Sequence, residues 1–417
     1  MGLTFAEKVL ARKANLDSVI PGQIVTVRPD RLLTHDNTAA IARQFAKIGV
    51  RRLADPNKSV IVLDHVVPAA SETYARGHKE TREFVREQSI ASFYDVGEGI
   101  CHQVLPEKGH AWPGALIVGS DSHTPTHGAF GAFAAGIGRT EAAAVMATGE
   151  IWLLVPNSFR ILINGRLPLW VSAKDVILRI IGDLGADGAD YRSVEFAGET
   201  VEAMSIASRM VLCNMVAEMG AKNGLVLPDE TTRRWLQGRV DVGYEEVHPD
   251  ADAVYERVIE YDVSTLAPQV AKPHRVDNVV DVTNVAGIRV DQALIGTCTN
   301  GRLEDLEAAA SVLRGRHVAP TVRLLVLPAS REVLLAALEA GVITDLVTAG
   351  ATVLNPGCGP CLGAHEGCMA PGEVTISTAN RNFKGRMGCK EADIYLASPA
   401  TVAASALLGA IADPREV

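Results

Sequence analysis

The last third of the chain constrains the fold most. "RVDQALIG" (289–296) is an apolar run of strand length, "TCTNGR" (297–302) is a polar loop, and "LEDLEAAASVLRG" (303–315) is amphipathic at helical spacing. A second round follows. "VRLLVLP" reads as a strand, "SREVLLAALEAG" as a helix opened by Ser and closed by Gly, and "ATVLNPGCGPC" as a strand entering a loop. Parallel strands need helical crossovers, so this alternation predicts an α/β fold with a doubly wound parallel sheet and helices on both faces. The first third repeats the logic in "KSVIVLDH", helical "SETYARGHKETREFVREQ", "IASFYDVG" and "GALIVGSDSH". The middle alternates shorter strands such as "FRILING" with helices such as "AKDVILRIIGDLG", and the polar stretch 267–284 reads as a linker. Three units are expected, over 1–155, 156–280 and 281–417, with no repeat at a fixed period.

In open α/β sheets, ligands bind beyond the carboxyl ends of the strands. Four expected strands end in chemically loaded loops. "VIVL" runs into Asp64 and His65, "ALIVG" into "SDSHT", "QALIG" into "TCTNGR", and "TVL" into "NPGCGPC". That convergence gathers the loops into one candidate site.

The net charge of −9 argues against a nucleic-acid or anionic-membrane partner. The N-terminus "MGLTFAEKVLARKANLDSV" has no apolar leader core, and no apolar run reaches the length of a membrane span. A cytoplasmic location is therefore expected. Seven cysteines, an odd number, do not suggest a disulfide framework in such a chain. Cys101, Cys213, Cys368 and Cys389 read as incidental thiols, which leaves Cys298, Cys358 and Cys361. A single CxxC also suits a redox dithiol, or a zinc site completed by His365 or Cys368. Three cysteines are one short of the usual set for a [4Fe–4S] cluster, and a catalytic metal site keeps one position open. Gly357 and Gly359 would let backbone amides approach cluster sulfurs.

"GTCTNGR" together with "NPGCGPCLG" resembles the aconitase superfamily of iron–sulfur hydro-lyases. "IVLDHVVPA", "GICHQVLPE", "GSDSHTPTHGAFGAF", "CNMVAEMGAKNG" and "STANRNFKGRMG" extend the resemblance, in order, over essentially the whole chain. Within the superfamily it is similar to the large subunits of 3-isopropylmalate dehydratase and of homoaconitase.

The resemblance implies three aconitase-like α/β/α domains around one [4Fe–4S] cluster, held by Cys298, Cys358 and Cys361 with one iron open. It implies acid–base roles for Asp64, His65, His102, Asp121, His123 and Glu218, with His102 and Glu218 forming a pair. His65 would protonate the departing hydroxyl with Asp64 in support, while Asp121 and His123 would handle the iron-bound hydroxyl or water. Ser122, Arg381 and Arg386 would bind substrate, the arginines because a planar guanidinium grips a carboxylate. Asn214 and Asn300 would lie near the cluster. Asp36 and Thr38 match a further segment, but Ala40 stands where full-length aconitases carry glutamine, a departure from the citrate-specific pattern.

The resemblance also implies that the fourth, swivelling domain, with its serine base, belongs to a separate small subunit. The expected substrate is a small di- or tricarboxylic hydroxy acid. It is 2-isopropylmalate on the leucine pathway, or the homoaconitase substrate of α-aminoadipate lysine synthesis, with dimethylmalate or maleate as variants. Two other classes compete: a cluster-free RNA-binding iron sensor, and a zinc- or disulfide-based CxxC protein without hydro-lyase activity.

Overall fold

The apolar runs become strands buried on both faces, as parallel strands between helical layers require. Ser59–Val62, Leu116–Gly119 and Gln292–Gly296 are buried at every position. The structure is a computed structural model and describes residues 2–417.

The first sheet holds five parallel strands in the spatial order Ser92–Tyr94, Ser59–Val62, Arg31–Thr34, Leu116–Gly119, Phe133–Gly136. The chain enters at the central strand, builds outward on one side, then returns to build the other. A topological switch point therefore lies between Arg31–Thr34 and Leu116–Gly119. The third sheet repeats this plan with Thr352–Val353, Arg323–Leu327, Gln292–Gly296, Val374–Ser377 and Asp393–Leu396. Its switch point lies between Gln292–Gly296 and Val374–Ser377.

Between them in sequence, a four-stranded parallel sheet runs Asn223–Val226, Ser193–Ala197, Ser158–Asn164, Arg257–Asp262. A short antiparallel pair, Ile24–Val27 with Ile151–Leu154, flanks the first sheet. The helices begin where side chains cap them. Ser71 accepts from the amide of Tyr74 ahead of Glu72–Gln88, and Ser330 from that of Val333 ahead of Arg331–Glu339.

One segment differs from its sequence reading. Residues 267–284 are not a free linker: Gln269–Ala271 and Val279–Asp281 pair antiparallel and extend the third sheet beyond Asp393–Leu396. Val270 and Val282 are fully buried there. Their apolar side chains find a place in the core that the surrounding polar residues conceal in sequence. No helix among the described residues is long and apolar enough to cross a membrane.

Candidate active site

The loops leaving both switch points meet in one cavity of ≈ 190 Å³. The first sheet contributes His65, Asp121, Ser122 and His123 to its wall, and the helix after Ser92–Tyr94 adds His102. The third sheet contributes Cys298, Cys358, Cys361, Arg381 and Arg386. Asp64, Glu218 and Asn214 stand one hydrogen bond behind these groups.

Asp36 builds the "DH" loop. Its carboxylate accepts the backbone amides of Asp64, His65 and Val66 at 2.9, 2.8 and 3.1 Å, and pairs with His78 Nε2 at 2.8 Å. Burial would raise the Asp36 pKa, but the His78 hydrogen bond leads the opposing interactions and carries it below the carboxylate range. The loop so held places Asp64, fully buried, with Oδ1 2.6 Å from His65 Nδ1 and Oδ2 accepting the Cys101 amide at 2.7 Å. His65 Nε2 then lies 3.4 Å from Asp121 Oδ2. Burial disfavours charge on this imidazole, yet Asp64 and Asp121 outweigh it and hold the His65 pKa well above its ordinary value. The same two carboxylates therefore favour the protonated form of the His65 imidazole.

Asp121 is the hub of the "DSH" loop. It pairs with His102 Nε2 at 2.7 Å and accepts the His123 amide at 2.8 Å. Against burial, His102, His123 and His65 together hold it well below its usual range. The expected pairing of His102 with Glu218 is incorrect. Glu218 instead pairs with His123 Nε2 at 2.8 Å and accepts Arg381 Nε at 2.8 Å. The partners changed because the 3₁₀ segment Thr124–Phe130 packs on helix Ile206–Met215, which brings Glu218 to His123.

The third sheet delivers the thiols by sharp turns. After Gly296 (φ 140°), Thr297 takes a left-handed backbone (φ 72°), and Cys298 follows, facing the cavity. A Cβ on Gly296 would lie 2.1 Å from the Leu327 carbonyl oxygen, so only glycine fits. Buried Arg302 ties the loop by donating to the carbonyls of Cys298 and Thr299 at 2.8 and 2.7 Å. The Cys298 sulfur receives the side-chain amides of Asn214 at 3.3 Å and Asn380 at 3.4 Å, and Arg386 Nη2 reaches Cys361 Sγ at 3.6 Å. Asn300 does not join them; its amide turns to Asp305 at 2.8 Å.

The glycines of the CxxC loop also have a packing reason. A Cβ on Gly357 would stand 2.9 Å from the Asp64 carbonyl oxygen, which accepts the Cys358 amide at 2.7 Å, and one on Gly359 would strike the His365 ring. Gly357 lets the thiol loop pack on the "DH" loop, and Gly359 lets it fold back on its own His365. Asp36, noted from sequence only as matching a family segment, and Thr297, Arg302 and Asn380 hold or line the site without having been named among its residues. "TCTNGR" and "NRNFKGR" held three of them in view without distinguishing which side chains turn inward.

The model of the aconitase family (aconitate hydratase) matches residues 7–287 and 281–409. The chain belongs to the aconitase family. Its relatives include the 3-isopropylmalate dehydratase large subunit 1 of Methanopyrus kandleri, 55% identical over 100% of this chain and 99% of the relative. The probable methanogen homoaconitase large subunit of Methanosarcina mazei is 56% identical over 93% of this chain and 99% of its own length. The 3-isopropylmalate dehydratase large subunit of Halothermothrix orenii is 48% identical over the full length of both chains.

Members of this family are iron–sulfur hydro-lyases, and the donor set of this chain fits such a group. All three thiols are free and border one cavity. Their sulfurs are too spread for one ion. Among the described residues, the one group of three or more His, Cys, Asp or Glu whose ligand atoms all lie within 4.8 Å of one another is His35, Asp36, Asp64 and His65. That quartet is already committed to hydrogen bonds, with the Asn37 amide 2.8 Å from His35 Nε2, Asp64 on His65, and Asp36 holding four donors. The zinc alternative loses Cys368, which is exposed and lies against the Gly363 carbonyl. Ala40 lines an adjoining cavity of ≈ 380 Å³ that shares His65 and Leu362 with the first.

Proposed function

We propose that this chain is the cluster-bearing large subunit of a 3-isopropylmalate dehydratase, isomerising 2-isopropylmalate to 3-isopropylmalate by dehydration and rehydration. One observation carries the reading: three thiols share a cavity with a histidine held between two carboxylates. Cys298, Cys358 and Cys361 would hold one [4Fe–4S] cluster with one iron free of cysteine. When bound, such a cluster supplies a Lewis acid for a hydroxyl oxygen.

The remaining work falls to side chains. His65, protonated and fixed through Nδ1 by Asp64, gives the proton on Nε2 to the departing hydroxyl and recovers it on rehydration. Its 3.4 Å approach to Asp121 is loose enough to exchange for a substrate oxygen. Asp121 stays anionic and orients His65, His102 and His123 together. Arg381 spends Nε on Glu218, which leaves its outer nitrogens for a substrate carboxylate; Arg386 supplies a second cation on the same wall. Ser122 borders the same space.

The base that removes the carbon-bound proton is assigned to a small subunit carrying the swivel domain. The wording "large subunit" in the relatives' names supports such a partner. The second reading, a homoaconitase large subunit, is favoured by the Methanosarcina mazei relative.

The test is anaerobic reconstitution with iron, sulfide and the small subunit from the same source, following enoate absorbance with isopropylmalate and homoisocitrate in parallel. Turnover of isopropylmalate is expected. Turnover of homoisocitrate alone would transfer the assignment to the second reading, and turnover of neither by a cluster-loaded complex would reject both.

A further inference from the structure

Lys174 is an unusual place for a cation. Its side chain is completely buried, and it occupies the first turn of helix Ala173–Leu184, where the helix dipole already disfavours positive charge. Its Nζ donates to the carbonyl oxygens of Thr378 and Ala379, both at 2.7 Å. Among the described residues it makes no ion pair with a carboxylate, the usual condition for burying an ammonium. Asp175, beside it, is committed elsewhere, accepting the amides of Gln269 and Ser172 at 2.9 and 2.8 Å.

The two carbonyls that Lys174 grips immediately precede Asn380 and Arg381. Asn380 donates to Cys298 Sγ, and Arg381 lines the cavity and pairs with Glu218. One buried ammonium on the middle unit therefore fixes the loop on which the third sheet presents a sulfur donor and a substrate cation. Among the groups able to carry negative charge, Cys298 and Cys361 act on it most strongly, ahead of Asp305 and Asp175.

We infer that Lys174 is a positioning residue for the iron–sulfur site: its ammonium clamps the Thr378–Ala379 turn and is the buried counter-charge to the thiolate-bound cluster. The inference rests on the proposed cluster at Cys298, Cys358 and Cys361. Burial depresses the ammonium pKa to about 7, with the two thiols opposing. An anionic cluster at those sulfurs keeps Lys174 charged and, reciprocally, is stabilised against oxidation by it.

The experiment uses the full-length chain reconstituted anaerobically with iron and sulfide, as wild type, Lys174→Met and Lys174→Gln. Met removes charge and hydrogen bonds together; Gln keeps a donor for the carbonyls without the charge. Each protein is exposed to ferricyanide, which takes one electron from the [4Fe–4S] cluster. Release of Fe²⁺ is followed with a chelator, and growth of the three-iron signal by electron paramagnetic resonance. Both variants are expected to lose iron about tenfold faster than wild type. Only Lys174→Met should also raise KM in the reconstituted complex, because only there is the turn before Arg381 unclamped. A folded, loaded Lys174→Gln with wild-type iron loss would overturn the inference, and it decides the matter if Lys174→Met does not fold. A wild-type chain that takes up no cluster would instead overturn the proposed function, and this inference with it.

Discussion

The first and third sheets share one strand order, and both send their loops from the same kind of edge, yet the two edges are built on opposite electrostatic principles. On the first, each charge is answered from within. Asp36 meets three amides and His78, Asp64 meets His65 and the Cys101 amide, and Asp121 meets His102, His65 and the His123 amide. On the third, the Cys298 thiol meets only side-chain amides, and burial drives it up to about 12. Such sulfurs become thiolates when a metal's positive charge is supplied. The imidazole–carboxylate half is preorganised by its own residues, and the thiol half, on the proposed function, would be completed by its cluster. Fold symmetry sets where a site lies, and local charge balance sets its chemistry.

The largest expected effect separates the halves outright. Cys298→Ser should reduce bound iron and acid-labile sulfide to background and turnover by more than about 10⁴-fold, with the melting temperature of the metal-free chain nearly unchanged. A Cys298→Ser chain retaining full iron would remove the thiol half from the cofactor.

His65→Asn attacks the other half. It should leave iron and sulfide at wild-type levels and lower kcat by about 10³-fold. The pH profile sharpens the point. The folded pKa of His65 is raised, so the stability and proton donation it contributes are complete below its unfolded value of about 6.5 and disappear as pH rises through the higher folded value. An alkaline limb in kcat is expected, and His65→Asn should abolish it; a limb that persists assigns the proton to another group.

Asp36→Ala tests whether the first edge is held by internal balance. Removing one acceptor strands three amides and His78, and should cost about 3 kcal/mol in urea unfolding of the metal-free chain. A change under about 0.5 kcal/mol would show that the loop holds its shape without that carboxylate. The smallest effect belongs to Asn380→Ala, which removes one of two amide donors to Cys298 and should speed iron loss about tenfold with the cluster still forming. Unchanged iron loss would leave Asn214 as the sufficient donor.

The adjacent pair Asp64–His65 was readable because neighbours on a strand-ending loop meet with little help from the rest of the fold. His102 and Glu218 were misassigned because Glu218 reaches His123 only through the packing of helix Ile206–Met215 on Thr124–Phe130, while His102 meets Asp121 across two loops of the first sheet. Asn300 stands two residues after Cys298 yet turns to Asp305. Sequence distance did not say which way a side chain in a tight turn would point.

Alternating periodicity and loaded strand ends determined from sequence alone that this chain folds as parallel α/β sheets with its chemistry at their carboxyl edges, because those signals are local and set by backbone hydrogen bonding and burial. Ordered motifs identified the family and named the three thiols. Only the tertiary structure decided which carboxylate answers which imidazole, that residues 267–284 complete the third sheet, and that Lys174 grips the turn ahead of Asn380 and Arg381. These depend on contacts between distant segments, and a buried charge takes its meaning from what packing brings within a few ångströms of it.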